Sequence, residues 1–589
     1  MFTTRPELVG THGMVASTHW LASAAGMAVL EDGGNAFDAA VATGFVLQVV
    51  EPHLNGPGGE VPAVFATAGD PTPRVLCGQG VAPAGATVAH YRDLGLDLVP
   101  GSGLLATTIP GAWDGWLLLL RDHGTKRLHD VLSYAIGYAR SGFPLSARVP
   151  AVIDTVRQLF TDHWPTSGAQ WFGATGERFA NPALADTWER LLAEATGPTR
   201  EAEIDAARRA WSQGFVAAAV DAFCRTPVRD DSGRDHAGVL TGQDMAIWSA
   251  SYEPAVTADF GAWTLAKCGA WTQGPVLLQQ LRLLADRPLS YVDGLASADT
   301  VHWALEATKL AFADREAWYG DSGDSGDSTV PLDTLLSREY AAQRARLIGD
   351  TASFELRPGS PDGRAPRLPA TLYSPVKATP RTGAIGEPTV RADGTTRGDT
   401  VHIDVVDRWG NLVSATPSGG WLQSSPTIPE LGFCLGSRAQ MFWLEDGLPN
   451  SLAPGKRPRI TLSPSLALRD GTPTLAFGTP GGDGQDQWQL CFWLAHTVGG
   501  LNLQAAIDAP AWHSNAVPSS FYPRTFVPGE AHVESRLGER TLAELRDRGH
   551  LVVDTGPWSL GRLSAVSRRD GLLRAAANPR GMQGYAVGR

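Results

Sequence analysis

Two helical patterns open the chain. Apolar and small residues fill the run from Trp20 to Asp32, which stops at Gly33-Gly34, a helix-ending pair. Asn35 can cap a second helix from Ala36 to about Val50. Alanines dominate both (Ala22, Ala25, Ala28, Ala36, Ala39, Ala40, Ala42), so the pattern predicts close packing against a sheet or each other. A glycine-rich turn follows from Glu51 to Glu60; it lacks a following Gly-Lys-Ser/Thr and is not a phosphate loop. Further on, Val301, Leu305, Thr308 and Phe312 fall at helical spacing and predict an amphipathic helix from Asp299 to Asp314. Asp321 to Ser328 is read as a solvated acidic loop, because it has no glutamate where an EF-hand needs one. Residues 357–399 are rich in Pro, Gly, Arg and Thr without periodicity, which predicts a long loop. The pattern then turns strand-like. Val401, Ile403 and Val405 alternate with polar neighbours, Asp407 to Asn411 reads as a turn, and Leu412 to Thr416 returns, giving a β-hairpin.

Composition narrows the function. A chain of 589 residues, 43% hydrophobic and 19% charged, has the make-up of a soluble globular protein with a large core. A formal net charge of -12 argues against nucleic acid as the main partner. No secretory signal is read at the start, and Ala39 to Val50 is too short to span a bilayer, so no membrane partner is expected. Five scattered cysteines fit a reducing compartment, with the cytoplasm as the expected location. No His-Glu-x-x-His or Cys-x-x-Cys pairs appear, and no Gly-x-Ser-x-Gly elbow, so neither metal nor cofactor is expected. His53 and His402 are read as structural, satisfied histidines.

A threonine that starts a buried strand after a long loop has one special use. If the bond between Asp399 and Thr400 breaks, the Thr400 hydroxyl lies beside its own α-amine, whose pKa near 7.7–8.0 lets it act as a base at neutral pH. Gly481 and Gly482 in the run Thr479 to Gly484 are candidates for an oxyanion hole. Thr416 and Ser418 offer hydroxyls to orient the amine and hydroxyl of Thr400. Taken alone, each of these signals also has an ordinary structural explanation.

The sequence resembles the γ-glutamyltransferases, also called γ-glutamyl transpeptidases or glutathione hydrolases. The resemblance is carried in order by Gly33 to Val41, Val50 to His53, Ala311 to Arg315, Tyr319 to Asp321, Thr400 to His402, Lys456 to Pro458, Leu462 to Pro464, Pro480 to Gly482, Gly500 to Asn502 and Asn578 to Arg580. It covers nearly the whole chain. It implies an α+β fold, a four-layer αββα sandwich of the N-terminal nucleophile hydrolase type. It also implies a precursor that cuts itself before Thr400 into a large subunit (1–399) and a small one (400–589), which stay associated. Thr400 would then form an acyl-enzyme with a small-molecule amide and pass the acyl group to water or an amine. Gly481 and Gly482 match the family's oxyanion residues, and Thr416 and Ser418 its supporting hydroxyls, with Ser418 in place of a threonine.

The substrate-binding positions depart from the family. Val88 stands where the family has the arginine for the glutamyl carboxylate; Gln440-Met441 stands where it has the acid for the amino group. Gly420 replaces an asparagine, and Ile460-Thr461 a serine pair. A buried charged substrate needs partner charges, so glutathione is expected to be a poor substrate. Arg92 and Arg438 lie near the lost positions in sequence, where either could compensate as a carboxylate partner; the ordinary reading, taken here, is that both are surface residues. Trp421, Met441, Phe442 and Trp443 fit an apolar acyl pocket and ordinary core equally well. Three functions follow: a γ-glutamyltransferase in the usual sense, an amidohydrolase for another acyl group such as glutaryl or oxamate, or an uncleaved, non-catalytic homologue.

Overall fold

The structure, a computed structural model, describes residues 2–321, 330–372, 400–580 and 584–589. Asp399, most of the expected loop and the acidic run after Asp321 lie outside the described residues. Of the loop, 357–372 carries only two short turns, Pro361–Gly363 and Ala370–Leu372.

The opening helices form where the pattern puts them, over Trp20–Glu31 and Ala36–Val50. Gly33 ends the first with a φ of 83°. The Asn35 side chain accepts from the N–H groups of Phe37 and Asp38 at 2.9 and 3.1 Å, and the Asp38 carboxylate accepts from the Asn35 N–H at 2.9 Å. This closed box satisfies donors the helix itself cannot. The helices meet at their small residues: a Cβ added to Gly26 would lie 2.3 Å from the Thr43 hydroxyl.

The hairpin also forms, as strands Ile403–Asp407 and Leu412–Ala415. Its turn is fixed by the Asp407 carboxylate, which accepts from the N–H groups of Trp409, Gly410 and Asn411 at 2.9–3.0 Å. The hairpin lies at the centre of a seven-stranded antiparallel sheet. In order across that sheet run Tyr585–Gly588, Gly13–Ser17, Ile403–Asp407, Leu412–Ala415, Val61–Thr67, Asp70–Gly78 and Ser251–Pro254. A second sheet of seven strands runs Leu8–Gly10, Leu572–Ala577, Ser564–Arg569, Thr472–Gly478, Ser465–Arg469, Trp263–Lys267 and Val256–Phe260.

Strand alternation sorts the side chains into layers. Val15, Val401, Ile403, Val405 and Val413 join one core with the opening helices. Met14, Ala16, Val406 and Leu412 point the other way, into a core shared with Ala266, Leu466, Ala476 and Val566 of the second sheet. The far face of that sheet, with Leu265, Leu475, Phe477 and Ala565, is covered by helices Pro275–Leu284, Ala298–Trp318 and Gln485–Thr497. The result is helix, sheet, sheet, helix: the four-layer αββα sandwich.

The middle helix differs from its expectation. It is longer, Ala298–Trp318, and buried on nearly every side rather than amphipathic. Its charges are matched internally: Lys309 pairs with Glu306 at 2.6 Å and Arg315 with Glu316 at 2.7 Å. The five cysteines are buried and free. Among the described residues no helix is long and apolar enough to cross a membrane.

The close helix packing can be tested at Gly44, where an added Cβ would lie 2.5 Å from the ring of the fully buried Trp116. Gly44→Ala gains helix propensity of about 1 kcal/mol but overpacks a rigid indole at a cost of about 1–3 kcal/mol. A net loss of stability, read as a lower denaturation midpoint, is expected.

Candidate active site

Thr400 lies at the open end of the central strand, fully buried. It is joined to Ser418 by an isolated antiparallel bridge, and Ser418 in turn to Glu60. The Thr400 and Ser418 hydroxyls are 3.0 Å apart. The Ser418 oxygen also accepts from Arg438 Nη2 at 2.5 Å, and Arg438 Nε donates to Glu60. A hydrogen-bonded run therefore leads from a buried ion pair to the Thr400 hydroxyl. The Arg438 guanidinium lies 4.9 Å from the Trp421 ring centroid. Burial pushes the Glu60 carboxyl up, against the pull of Arg438. Arg438 is thus not a surface residue. Arg92 is: it is 41% exposed and occupied by Asp97 and the Leu444 carbonyl.

Thr416 is placed differently from Ser418. Its hydroxyl is 2.9 Å from His402 Nδ1. His402 Nε2 is 3.0 Å from Asp404 Oδ1, and Asp404 Oδ2 accepts from Ser564 at 2.7 Å. Among the described contacts, Thr416 therefore anchors the sheet-to-sheet packing and meets His402 rather than Thr400. His402 is a satisfied histidine, as expected. His53 is not: both its ring nitrogens are buried without a hydrogen-bond partner among the described residues.

The glycine turn faces the same end of the sandwich. Strand Thr472–Gly478 ends against His402, where a Cβ on Gly478 would lie 2.3 Å from the imidazole. Gly481 and Gly482 follow with φ of 130° and 46°, values that favour glycine. They lead through one 3-10 turn into helix Gln485–Thr497, so their N–H groups sit at its positive end. Neither N–H has a backbone acceptor among the described residues. The turn is held from behind. Arg315 pairs with Asp483, Asp483 accepts from the N–H and hydroxyl of Ser520, and Gln273 donates to the Gly482 carbonyl at 3.0 Å.

The altered substrate positions are largely apolar. Val88 starts helix Val88–Asp93, capped by Thr87, and packs against a cluster containing Phe442, Leu444 and Leu452. Met441 and Ile460 are buried in the core between the sheets, with Phe521. Thr461 is buried, and its hydroxyl has no partner among the described residues. Gly420 has a φ of 66°, and an added Cβ would lie 2.9 Å from the Gly59 backbone. No side chain fits there, which accounts for the missing asparagine.

Sequence reading gave no role to Glu51, Glu60 or Arg315. The odd charge closing the glycine run at Glu60 was the available signal. Glu51 lies beside Thr18, whose hydroxyl donates to it at 2.6 Å, while the Thr18 N–H donates to the His402 carbonyl. Burial raises its pKa to about 7, opposed by Arg562, the Thr18 hydrogen bond and Arg148. A carboxyl raised in the folded state holds a proton that the unfolded chain releases near pH 4.3. Its contribution is present at low pH and is lost as pH rises through about 7. Glu51→Gln should remove a stability decline on the order of 3 kcal/mol between pH 4.5 and 7, measured by denaturant titration at both ends of that window.

Residues 22–588 match the model of the gamma-glutamyltranspeptidase family. The solved structure LmbA2991HD is similar at 60% identity and a TM-score of 0.93, each chain covered in full. A cephalosporin acylase from Bacillus halodurans is similar at 26% identity and a TM-score of 0.81, covering 100% of this chain and 97% of the other. The oxamate amidohydrolase proenzyme of Klebsiella pneumoniae is 30% identical over 98% of this chain and 99% of its own. With that match laid on the two-sheet frame, the chain belongs to the gamma-glutamyltranspeptidase family and is an enzyme of the N-terminal nucleophile hydrolase class.

Proposed function

We propose that the chain is an autoprocessed amidohydrolase whose nucleophile is Thr400, acting on an acyl group other than γ-glutamyl. The observation that carries this reading is the buried Thr400 hydroxyl, 3.0 Å from a serine that a buried arginine also holds. In the precursor this hydroxyl attacks the carbonyl of Asp399. The C–N bond breaks as the Asp399 acyl group passes to the hydroxyl, which frees the Thr400 amine; water then hydrolyses the ester, releasing the Asp399 carboxylate and restoring the Thr400 hydroxyl. That amine takes the hydroxyl proton as Thr400 attacks a substrate amide, and gives it to the leaving nitrogen. The N–H groups of Gly481 and Gly482 hold the oxyanion. Water, activated by the same amine, or an acceptor amine then releases the acyl group. The products of self-cleavage, 1–399 and 400–589, stay joined because strands from both fill each sheet.

Two observations support an acyl group other than glutamyl: Val88 packs in an apolar cluster, and Met441 lies in the core between the sheets. The similarity to a cephalosporin acylase and to an oxamate amidohydrolase supports this reading. The free, buried cysteines fit a cytoplasmic setting.

Purified protein should run as two bands on a denaturing gel, with a new N-terminus at Thr400; Thr400→Ala should leave one inactive band. An uncut wild-type chain would favour the non-catalytic reading. Ser418→Ala loses a hydrogen bond to a charged group, worth about 1.5–3 kcal/mol, and should slow turnover roughly ten- to hundredfold. A γ-glutamyl anilide should be a poorer substrate than other acyl anilides. Strong preference for the glutamyl compound would overturn the specificity proposed here.

A further inference from the structure

Arg438 has more hydrogen-bonding capacity than the protein uses. Its side chain is wholly buried. Nε donates to Glu60 and Nη2 to Ser418, but Nη1 has no acceptor among the described residues. A buried donor left unpaired costs about 1–3 kcal/mol, and more on a charged group, so an acceptor brought to Nη1 by a ligand recovers that cost. The guanidinium is also fixed in place. The rings of Trp421 and Phe521 lie 4.9 and 6.0 Å from it, and Glu60 grips its inner edge. A planar, immobilised guanidinium with one unpartnered nitrogen is suited to a carboxylate oxygen.

We infer that Arg438 is a specificity-determining residue, whose Nη1 receives a carboxylate carried by the acyl part of the substrate. The inference rests on Thr400 being the nucleophile and names the substrate class of that site. Only the Ser418 hydroxyl, 2.5 Å from Arg438 and 3.0 Å from Thr400, separates the guanidinium from the attacking oxygen. A carboxylate bound there lies close to the carbonyl under attack. The acyl group is therefore short, with its carboxylate on the reacting carbonyl or one carbon away. Carboxylate recognition has thus moved from the helix that starts at Val88 to the turn Arg438–Met441. Glu60 sets the strength of the interaction: its charge already offsets that of Arg438, so it opposes a second anion.

The test compares an N-aryl oxamate, its neutral methyl ester and a γ-glutamyl anilide on the processed enzyme. Wild type should favour the acid over the ester by tenfold or more in kcat/KM. Arg438→Gln should abolish that preference by raising KM for the acid. Glu60→Gln should strengthen it by lowering KM for the acid. Free oxamate should compete with the acid substrate, with Ki moving in the same two directions. If Arg438→Gln does not fold or process, the acid-to-ester ratio of wild type and the Glu60→Gln shift decide the matter. Two bands on a gel with equal rates for acid and ester would overturn the role of Arg438 alone. A single band, with no acyl transfer to any probe, would instead overturn Thr400 as the nucleophile.

Discussion

The arrangement rests on one strand held from both sides. Ile403 pairs with Ser17 on one flank and Ala415 on the other, so the strand cannot shift without breaking two ladders. A one-residue slip would also exchange its faces, driving Ile403 and Val405 out of the helix-side core. The register that buries these residues is the same register that sets Thr400 against Ser418. Hydrophobic patterning along one face therefore fixes a polar contact at the strand's end.

Charge burial is the second theme. Glu60 with Arg438, Asp483 with Arg315, and Asp486 with Lys267 are pairs inside the protein, and all three bear on the site or the turn beside it. Such pairs bring little net stability, because desolvation offsets their attraction. What they supply is fixed direction. Arg315 holds the turn whose glycines offer their N–H groups, and Arg438 holds the hydroxyl that meets Thr400. Removing one partner would leave the other as an uncompensated buried charge, so these residues constrain each other strongly.

Much of this was legible in the sequence, but unevenly. Local signals read true: the Asn35 cap, the Gly33 stop, the Asp407 turn and the alternation from Val401 to Val405 depend on residues a few positions apart. What escaped depends on distant partners. Arg438 looked like a surface residue because its partner Glu60 is 378 positions away in the chain. The helix Ala298–Trp318 looked amphipathic because spacing cannot show that neighbouring elements cover its charged side. Thr416 and Ser418 looked equivalent, and only the packing of His402 between the sheets separates their roles. The absent asparagine at Gly420 is a consequence of backbone crowding by Gly59, which no pattern of side chains reveals.

Strands from before and after residue 400 share each seven-stranded sheet and pair directly: Gly13–Ser17 beside Ile403–Asp407, and Trp263–Lys267 beside Ser465–Arg469. Neither segment contains either of the seven-stranded sheets complete on its own. Synthesised as separate polypeptides, each would present unpaired edges and bare apolar faces, the condition that leads to aggregation. Making both as a single translation product guarantees that the partners meet at equal dose and in the correct topology. Covalent continuity thus acts as a built-in assembly aid while the molecule folds.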